Sequence, residues 1–245
     1  MVESGRIGTV RHVSAFFASP LSWLFDDPAN RGWNEPTGPT MVGNGFAWGQ
    51  SSHLLGWIYH VCGPQLQPQR VYCAMTHSET SGADVAHAAT IHCRHGAILS
   101  VSGTSLLPGD AHSEPPVGKH IQIRIFGDRG TLIYGGDDRL PTSGSLELRL
   151  FETNGRVETP HDDNDNKQEQ EQQGFLFENI DVEGAGPESL QEFLRACRRN
   201  RNDGNDDDVY VGADAEVGFR TVQTIDAMYR SHASKECVDV GYMSS

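Results

Sequence analysis

Residues 43–57 read Gly43-Asn-Gly-Phe-Ala-Trp-Gly-Gln-Ser-Ser-His-Leu-Leu-Gly-Trp57. The segment opens with small, flexible residues and continues in a helical pattern that carries a histidine. One apolar stripe recurs at helical spacing: Ala47, Ser51, Leu54, Leu55, Ile58 and Val61. A neighbouring face carries Phe46, Gln50, His53, Trp57 and His60. This spacing predicts a helix over about 46–62, which ends at Cys62-Gly63-Pro64.

Two interpretations of this helix remain open. Glycines before a helix let a ligand approach the backbone closely. A histidine in the first turns, here His53, then points at that ligand. The alternative is a core helix with a buried histidine whose hydrogen bonds are satisfied.

The flanks of the helix differ in character. Residues 7–18 alternate in polarity and predict a first strand. Residues 19–42 are rich in Pro, Gly and Asn and predict a long irregular loop. Its three large aromatic side chains argue against disorder. Loops of this length in a compact domain are usually functional when they are ordered.

A run of strands follows the helix, with tight turns between several of them, and predicts an antiparallel meander. The predicted strands are Arg70–Ser78, Asp84–Cys93, Ala97–Leu107, Lys119–Phe126, Thr131–Tyr134 and Ser145–Phe151. Two helices, at about 187–199 and 212–233, and a short edge strand over Cys237–Val240 complete the chain. The predicted fold class is α+β, a large open, mostly antiparallel sheet with helices packed on one face.

The acidity of the chain is concentrated in two polar segments. The net charge is −14, and residues 161–173 and 201–208 carry half of it. We therefore predict one domain over residues 1–245 with low-complexity acidic loops at 158–173 and 200–208. The absence of a basic stripe argues against a nucleic-acid partner. We expect the uncovered sheet face to support a homo-oligomer.

Further features of the sequence indicate the cellular compartment and argue against several kinds of site. No apolar run approaches the roughly 18 residues that span a membrane. The five cysteines are odd in number and form no C-x-x-C pair, which indicates reduced thiols in the cytoplasm. The sequence His92-Cys93-Arg-His95 lacks a second pair at ligand spacing, so no metal site is predicted. No strand–glycine–helix unit for a dinucleotide is visible either.

The order of short motifs resembles the second, C-terminal domain of the Gfo/Idh/MocA oxidoreductases, the glucose–fructose oxidoreductase and inositol dehydrogenase family. The matching stretches are Gly5-Arg-Ile-Gly-Thr-Val10, Gly49-Gln-Ser-Ser-His53, His95-Gly96-Ala97, Ile125-Phe-Gly-Asp-Arg-Gly-Thr-Leu132, Glu188-Ser-Leu-Gln-Glu-Phe-Leu194, Gly212-Ala-Asp-Ala215 and Ala227-Met-Tyr-Arg-Ser231. Each motif is short, but their order extends over nearly the whole chain. In that family this domain forms the substrate pocket and often the oligomer contact.

The resemblance implies a substrate-binding and oligomerisation domain of an NAD(P)-dependent enzyme that acts on a sugar, cyclitol or polyol. His53 is the expected acid/base or substrate-orienting residue. Gln50 and Asn44 are expected to hydrogen-bond hydroxyl groups. Stacking on a sugar face is expected from Trp23, Trp33 and Trp48.

Two departures from the family pattern keep a second hypothesis open. Residue 1 falls almost at the start of the second domain, so we expect no cofactor to bind this chain alone, and NAD or NADP to bind the full-length family enzyme. The family's Asp four residues before the histidine is Gly49 here. The alternative function is therefore a non-catalytic binding or assembly module.

Overall fold

The computed structural model of the chain describes residues 2, 4–110, 112–140, 143–158, 191, 194 and 213–241. Nine strands of this described part form one sheet: β1 Val10–Ala18, β2 Pro68–His77, β3 Asp84–Cys93, β4 Ile98–Thr104, β5 His120–Gly127, β6 Gly130–Asp137, β7 Ser145–Leu150, β8 Val157–Glu158 and β9 Val238–Asp239. The helices are α1 Ser22–Asp26, α2 Arg31–Asn34, α3 Ser52–Cys62 and α4 Ala215–Ser234. A π-helical turn, Ala47–Ser51, and a 3-10 turn, Gly63–Gln65, flank α3.

The sheet has the strand order β8-β7-β6-β5-β1-β4-β3-β2-β9. All neighbours are antiparallel except β1 and β4, which run parallel. The predicted α+β fold with a large, mostly antiparallel sheet is confirmed. The meander is interrupted because β1 inserts between β4 and β5. The chain leaves β1 through the helices and returns through β2 and β3, which allows a parallel pair.

One face of the sheet forms the core. Strand alternation aligns buried residues in rows across the strands, such as Val13 opposite both Leu99 and Ile125. Helix α3 packs against α4, and α4 packs on β2 over this face. The outer face carries mainly small or polar side chains, among them Ser14, Ser100 and Arg124. The helices therefore cover one side of the sheet.

The bounds of several elements differ from the predictions at their ends. The loop over 19–42 contains the short helices α1 and α2. The last helix begins at Ala215, where the Asp214 side chain accepts a hydrogen bond from the Val217 N–H. The short edge strand is confirmed as β9, which pairs with β2. The predicted helix at 187–199 lies outside the described residues except for 191 and 194, and so do the predicted loops at 158–173, apart from Glu158, and at 200–208.

The four cysteines of the described part, Cys62, Cys73, Cys93 and Cys237, form no disulfide. Burial raises the pKa of Cys62, Cys73 and Cys93 to about 12, so these thiols stay protonated. Within the described ranges no group of three metal-ligating side chains comes together. No described helix combines the length and the apolar character needed to cross a bilayer.

Candidate functional site

A buried carboxylate fixes the start of the helical segment. Asp84 is 1% exposed, and its Oδ2 accepts a hydrogen bond of 2.8 Å from the Ala47 N–H. The Tyr229 hydroxyl on α4 donates to Oδ1 of the same carboxylate. A Cβ at Gly45 would lie 2.4 to 2.6 Å from Asp84 atoms, so this approach requires glycine. Burial raises the pKa of Asp84, and its hydrogen bonds partly offset that effect.

The π-helical turn changes the direction in which the following side chains point around the helix axis. A π-turn holds one more residue than an α-turn and rotates the later residues relative to the earlier ones. Gln50 and Ser51 are consequently buried at 6% and 0% exposure, whereas His53 is exposed. The single helical face predicted for Gln50 and His53 is therefore divided between the interior and the surface.

Below this turn lies a second histidine, His87 of β3. Its Nε2 is 3.4 Å from Ser51 Oγ, and its ring packs against Phe46 with the ring centres 5.8 Å apart. Burial lowers the pKa of His87 to about 4, so the ring is neutral near pH 7. His87 Nδ1 and Gln50 Oε1 are both buried without a hydrogen-bond partner.

Above the turn, aromatic rings close over Gly49. A Cβ at Gly49 would lie 3.0 Å from Cζ of Phe25 and 3.4 Å from Cε3 of Trp33. Phe25 is fully buried, whereas Trp33 is 46% exposed. The rings from α1 and α2 thus occupy the space that a carboxylate at position 49 would enter.

His53 stands at the surface one turn beyond Gly49. Its pKa lies below the ordinary value, first because its surroundings partly desolvate the ring and second because the charge of Lys119 disfavours a protonated imidazole. One turn later, Trp57 stacks on Tyr134 of β6 at a ring separation of 4.8 Å. The lowered pKa favours the neutral imidazole, which can accept a proton.

The remaining predicted site residues are dispersed. The Asn44 amide donates to the carbonyls of Gly32 and Glu35 and accepts from the Gly45 N–H, so it holds the loop. Trp48 stacks on Tyr229 with ring centres 6.0 Å apart, and its indole N–H is buried without a partner. Trp23 is 58% exposed on α1. The structure thus exposes Trp33 and His53, buries Asn44 and Gln50, and leaves Trp48 partly buried.

Two clefts lie apart from His53. One, of about 340 Å³, is bordered by Asn34, Glu35, Pro36, Val42, Gly43, Asn44, His77, Ser81, Gly82, Tyr229, His232 and Ala233. The other cleft, of about 430 Å³, is bordered by Ser4, Gly5, Arg6, Asp128, Arg129, Leu150, Phe151 and Glu152. Of the predicted site residues, Asn44 borders one of these two clefts and His53 borders neither.

A dinucleotide does not fit the start of this helical segment. Binding of a pyrophosphate requires free N–H groups at a helix N-terminus directly behind a strand. Here the Ala47 N–H is already bonded to Asp84, and the loop with α1 and α2 separates the segment from β1. The start of this helical segment therefore supplies no cradle for NAD or NADP.

Sequence reasoning missed Lys119, Phe25, Asp84 and Tyr229. Lys119 is the first residue of the predicted strand Lys119–Phe126 and alternates with Ile121 and Ile123, which assigns these three residues to one face of the sheet. No sequence signal indicated that the helix would bring His53 to that end of the strand. The contacts of Asp84 and Tyr229 join residues 145 positions apart and carry no local pattern.

Comparison with known proteins places this arrangement in a family. The sequence profile of the GFO/IDH/MocA C-terminal domain matches residues 1–133. A search of curated protein sequences gave no significant match. Among solved structures, WlbA dehydrogenase from Bordetella pertussis, solved with NADH and UDP-GlcNAcA, is similar at 20% identity and a TM-score of 0.62. The alignment covers 99% of this chain and 59% of that one.

Two further structures share the fold. The NAD binding oxidoreductase from Klebsiella pneumoniae is 15% identical with a TM-score of 0.63, and the alignment covers 99% of this chain and 61% of that one. Levoglucosan dehydrogenase, solved with NADH and L-sorbose, is 15% identical with a TM-score of 0.55 over the same shares, 99% and 61%. The chain thus spans about three fifths of the length of these proteins. Since the profile matches more than half of its residues, the chain belongs to the GFO/IDH/MocA C-terminal domain family.

Proposed function

We propose that this chain is the substrate-binding and oligomerisation domain of an NAD(P)-dependent oxidoreductase that acts on a sugar, cyclitol or related polyol in the cytoplasm. His53 is the acid/base or substrate-orienting residue of this proposal. In this proposal the dinucleotide is held by a separate cofactor-binding domain; the helix start before His53 does not suit a pyrophosphate, because the Ala47 N–H is bonded to Asp84. Two of the similar structures were solved with NADH, one together with UDP-GlcNAcA and the other together with L-sorbose.

The observation that carries the proposal is the surface around Gly49. Position 49 has no side chain, the exposed Trp33 ring lies against it, and the exposed His53 follows one helical turn later. A sugar combines an apolar ring face with hydroxyl groups, so it matches an aromatic ring beside a hydrogen-bonding imidazole. Trp23 on α1 extends the aromatic surface.

His53 supplies the proton chemistry that oxidation of an alcohol requires. A neutral imidazole accepts the hydroxyl proton, and the imidazolium returns it in the reverse direction; the hydride lost from the carbon would be taken up by the dinucleotide of the separate domain. The positive charge of Lys119 favours the neutral, proton-accepting form. Gln50 is buried beside this segment, Asn44 holds the loop through hydrogen bonds, and Trp48 stacks on Tyr229.

The outer face of the sheet is the proposed contact between copies of the chain. Two aromatic pairs lie on it, His12 with Phe126 at 5.6 Å and Phe16 with His120 at 6.3 Å between ring centres. No described helix covers this face. Light scattering at micromolar concentration tests this part of the proposal, and a monomer would contradict it.

A non-catalytic binding or assembly module is the second candidate. It is favoured by the replacement of the family's Asp with Gly49 and by the two rings, from Phe25 and Trp33, that fill the vacated space. Under this alternative the surface at His53 binds a ligand without reaction. The sequence of the full-length transcript discriminates the two, because the enzyme requires a cofactor-binding domain in the same polypeptide or in a partner.

Direct binding measurements test the main proposal. We expect D-glucose or myo-inositol to shift the imidazole NMR signals of His53, identified by their loss in His53→Gln, and to leave those of His87 unshifted. Calorimetry with NADH and NADPH should show no binding to the chain alone. A dissociation constant in the low micromolar range for either dinucleotide, or no response of His53 to any polyol, would overturn the assignment.

A further inference from the structure

The outer edge of β2 is covered partly by β9 and partly by two side chains from the last turn of α4. The short strand β9 pairs with the first half of this edge. Beyond it, the Cys73 N–H donates to Ser231 Oγ at 2.9 Å, and the Met75 N–H donates to His232 Nδ1 at 3.0 Å. An uncovered strand edge is a template for pairing with another chain. The end of α4 therefore seals β2 where β9 stops.

The two side chains that seal the edge differ in how they respond to pH. The Ser231 hydroxyl does not titrate near neutral pH, and it also donates to the Glu236 carbonyl at 2.6 Å. The imidazole of His232 does titrate in this range, and its Nδ1 accepts a hydrogen bond only while it carries no proton. The contact with Met75 therefore requires a neutral ring with its proton on Nε2.

A lysine and a second histidine oppose protonation of His232. Lys235 Nζ lies 3.3 Å from Nδ1 and 3.4 Å from Nε2 of the ring, and an ammonium group can only donate. The His77 ring packs against the His232 ring with the ring centres 4.9 Å apart. The pKa of His232 lies below its ordinary value, first because the ring is partly desolvated and then because of Lys235 and His77.

The carboxylates near this end of α4 are engaged elsewhere. The titratable and charged groups around His232 are Glu35 across the cleft of about 340 Å³, His77 of β2, Asp84 of β3, Tyr229 and Arg230 of α4, Lys235 and Glu236 after it, and Asp239 of β9. The Glu35 and Asp239 side chains are paired with arginines, and Asp84 accepts from the Tyr229 hydroxyl. Among the described residues no ion pair includes His232.

A protonated His232 has a more favourable place to go. The ring is half-buried and borders the cleft together with His77, Tyr229 and Ala233, so solvent reaches it from the cleft. His232 lies in the last turn of α4, where the unpaired carbonyl groups of a helix attract a cation. The imidazolium therefore loses an acceptor role at Met75 and is stabilised once it turns away from β2.

We propose that His232 is an acid-sensitive latch on the edge of β2. As a neutral imidazole it accepts from the Met75 N–H and forms part of the cleft wall with His77. As an imidazolium it leaves Met75, uncovers the edge of β2 beyond β9 and changes the shape of the cleft. The contact between Ser231 and Cys73 persists, so the release is confined to the end of α4. The latch lies apart from His53 and does not depend on the proposed function.

Amide hydrogen exchange followed by NMR tests the latch, and the Cys73 N–H provides a control within the same strand. We expect the protection factor of the Met75 N–H to fall by about threefold or more from pH 7.5 to pH 5. The protection factor of the Cys73 N–H should change by less than about twofold, because a hydroxyl holds it. The fall at Met75 should follow the titration of the His232 ring, whose pKa should lie below 6.5.

Two variants separate the latch from a general effect of acid. His232→Gln is the matched control, since an amide oxygen accepts from the Met75 N–H without titrating, and its protection factor should stay constant. Lys235→Gln should move the fall at Met75 to higher pH, because a neighbouring positive charge is lost.

Three results would overturn the latch. The first is a protection factor at Met75 that does not change with pH in the wild type, and the second is an equal fall in His232→Gln. The third is an equal fall at Cys73 and Met75, which would mean that the whole end of α4 detaches. If His232→Gln does not fold, Lys235→Gln decides, and a fall at unchanged or lower pH in that variant would overturn the latch.

Discussion

His53 and His87 lie on opposite sides of the same helical segment and have different environments. His87 is buried below the π-helical turn against Ser51 and Phe46, and burial alone lowers its pKa. His53 is exposed above the turn, and the charge of Lys119 acts on it in addition to partial desolvation. The same residue type therefore has a role in stability on one side and is available for ligand chemistry on the other.

The difference between the two histidines separates the residues that hold the fold from the residues that are available to a ligand. On the buried side, polar groups such as Asp84 and Tyr229 are engaged with each other and fix the backbone. On the exposed side, no ion pair among the described residues includes His53 or Lys119. Substitutions on the two sides are expected to separate stability from binding.

The largest expected effect is the pH dependence contributed by His87. Its pKa is about 4 in the folded protein against 6.5 when unfolded, so the unfolded state binds the proton more readily. This stabilisation is present above pH 6.5 and is lost as the pH falls to 4, by about 3 kcal/mol. Urea unfolding from pH 7 to pH 4 measures it. The free energy of unfolding of His87→Gln should depend less steeply on pH than that of the wild type. Parallel plots of this free energy against pH for the two proteins would refute the buried, neutral state of His87.

A smaller effect is expected where the two sides meet, at Gly49. Gly49→Asp restores the family carboxylate but presses it against Phe25 and Trp33, so the free energy of unfolding should fall by about 2 kcal/mol. Gly56→Asp is the matched control in the same helix, since its nearest neighbour, Thr221 Oγ1, is 3.9 Å from the new Cβ. Thermal unfolding of both variants measures the difference. Equal losses of unfolding free energy in the two variants would show that the rings of Phe25 and Trp33 move aside from position 49 without cost.

The smallest change in stability is expected on the exposed side. His53→Gln removes an exposed ring with no described hydrogen-bond partner, so the free energy of unfolding should change by less than about 0.5 kcal/mol. Polyol binding should be lost in the same variant, as measured by calorimetry. A loss of stability comparable to that of a buried substitution would place His53 in the core network and remove the contrast between the two histidines.

The sequence predicted most elements because their signals are local. The strand at Asp84–Cys93 alternates in polarity, and its bounds agree with β3. The Gly63-Pro64 stop ends α3 where expected, with Gly63 at a positive φ of 54°. The π-helical turn and the division between Gln50 and His53 were not predicted, because 3.6-residue periodicity assumes an unbroken α-helix.

By itself, the sequence determined the fold class, the family motifs and the presence of a histidine in a helix after glycines, since each depends on residues close together in the chain. The tertiary structure decided which histidine is buried, why position 49 holds no carboxylate, and which lysine stands near His53. These features arise where β3, β5 and the 19–42 loop meet the helix. Burial and electrostatic fields depend on such long-range packing, which leaves no periodic trace in the sequence.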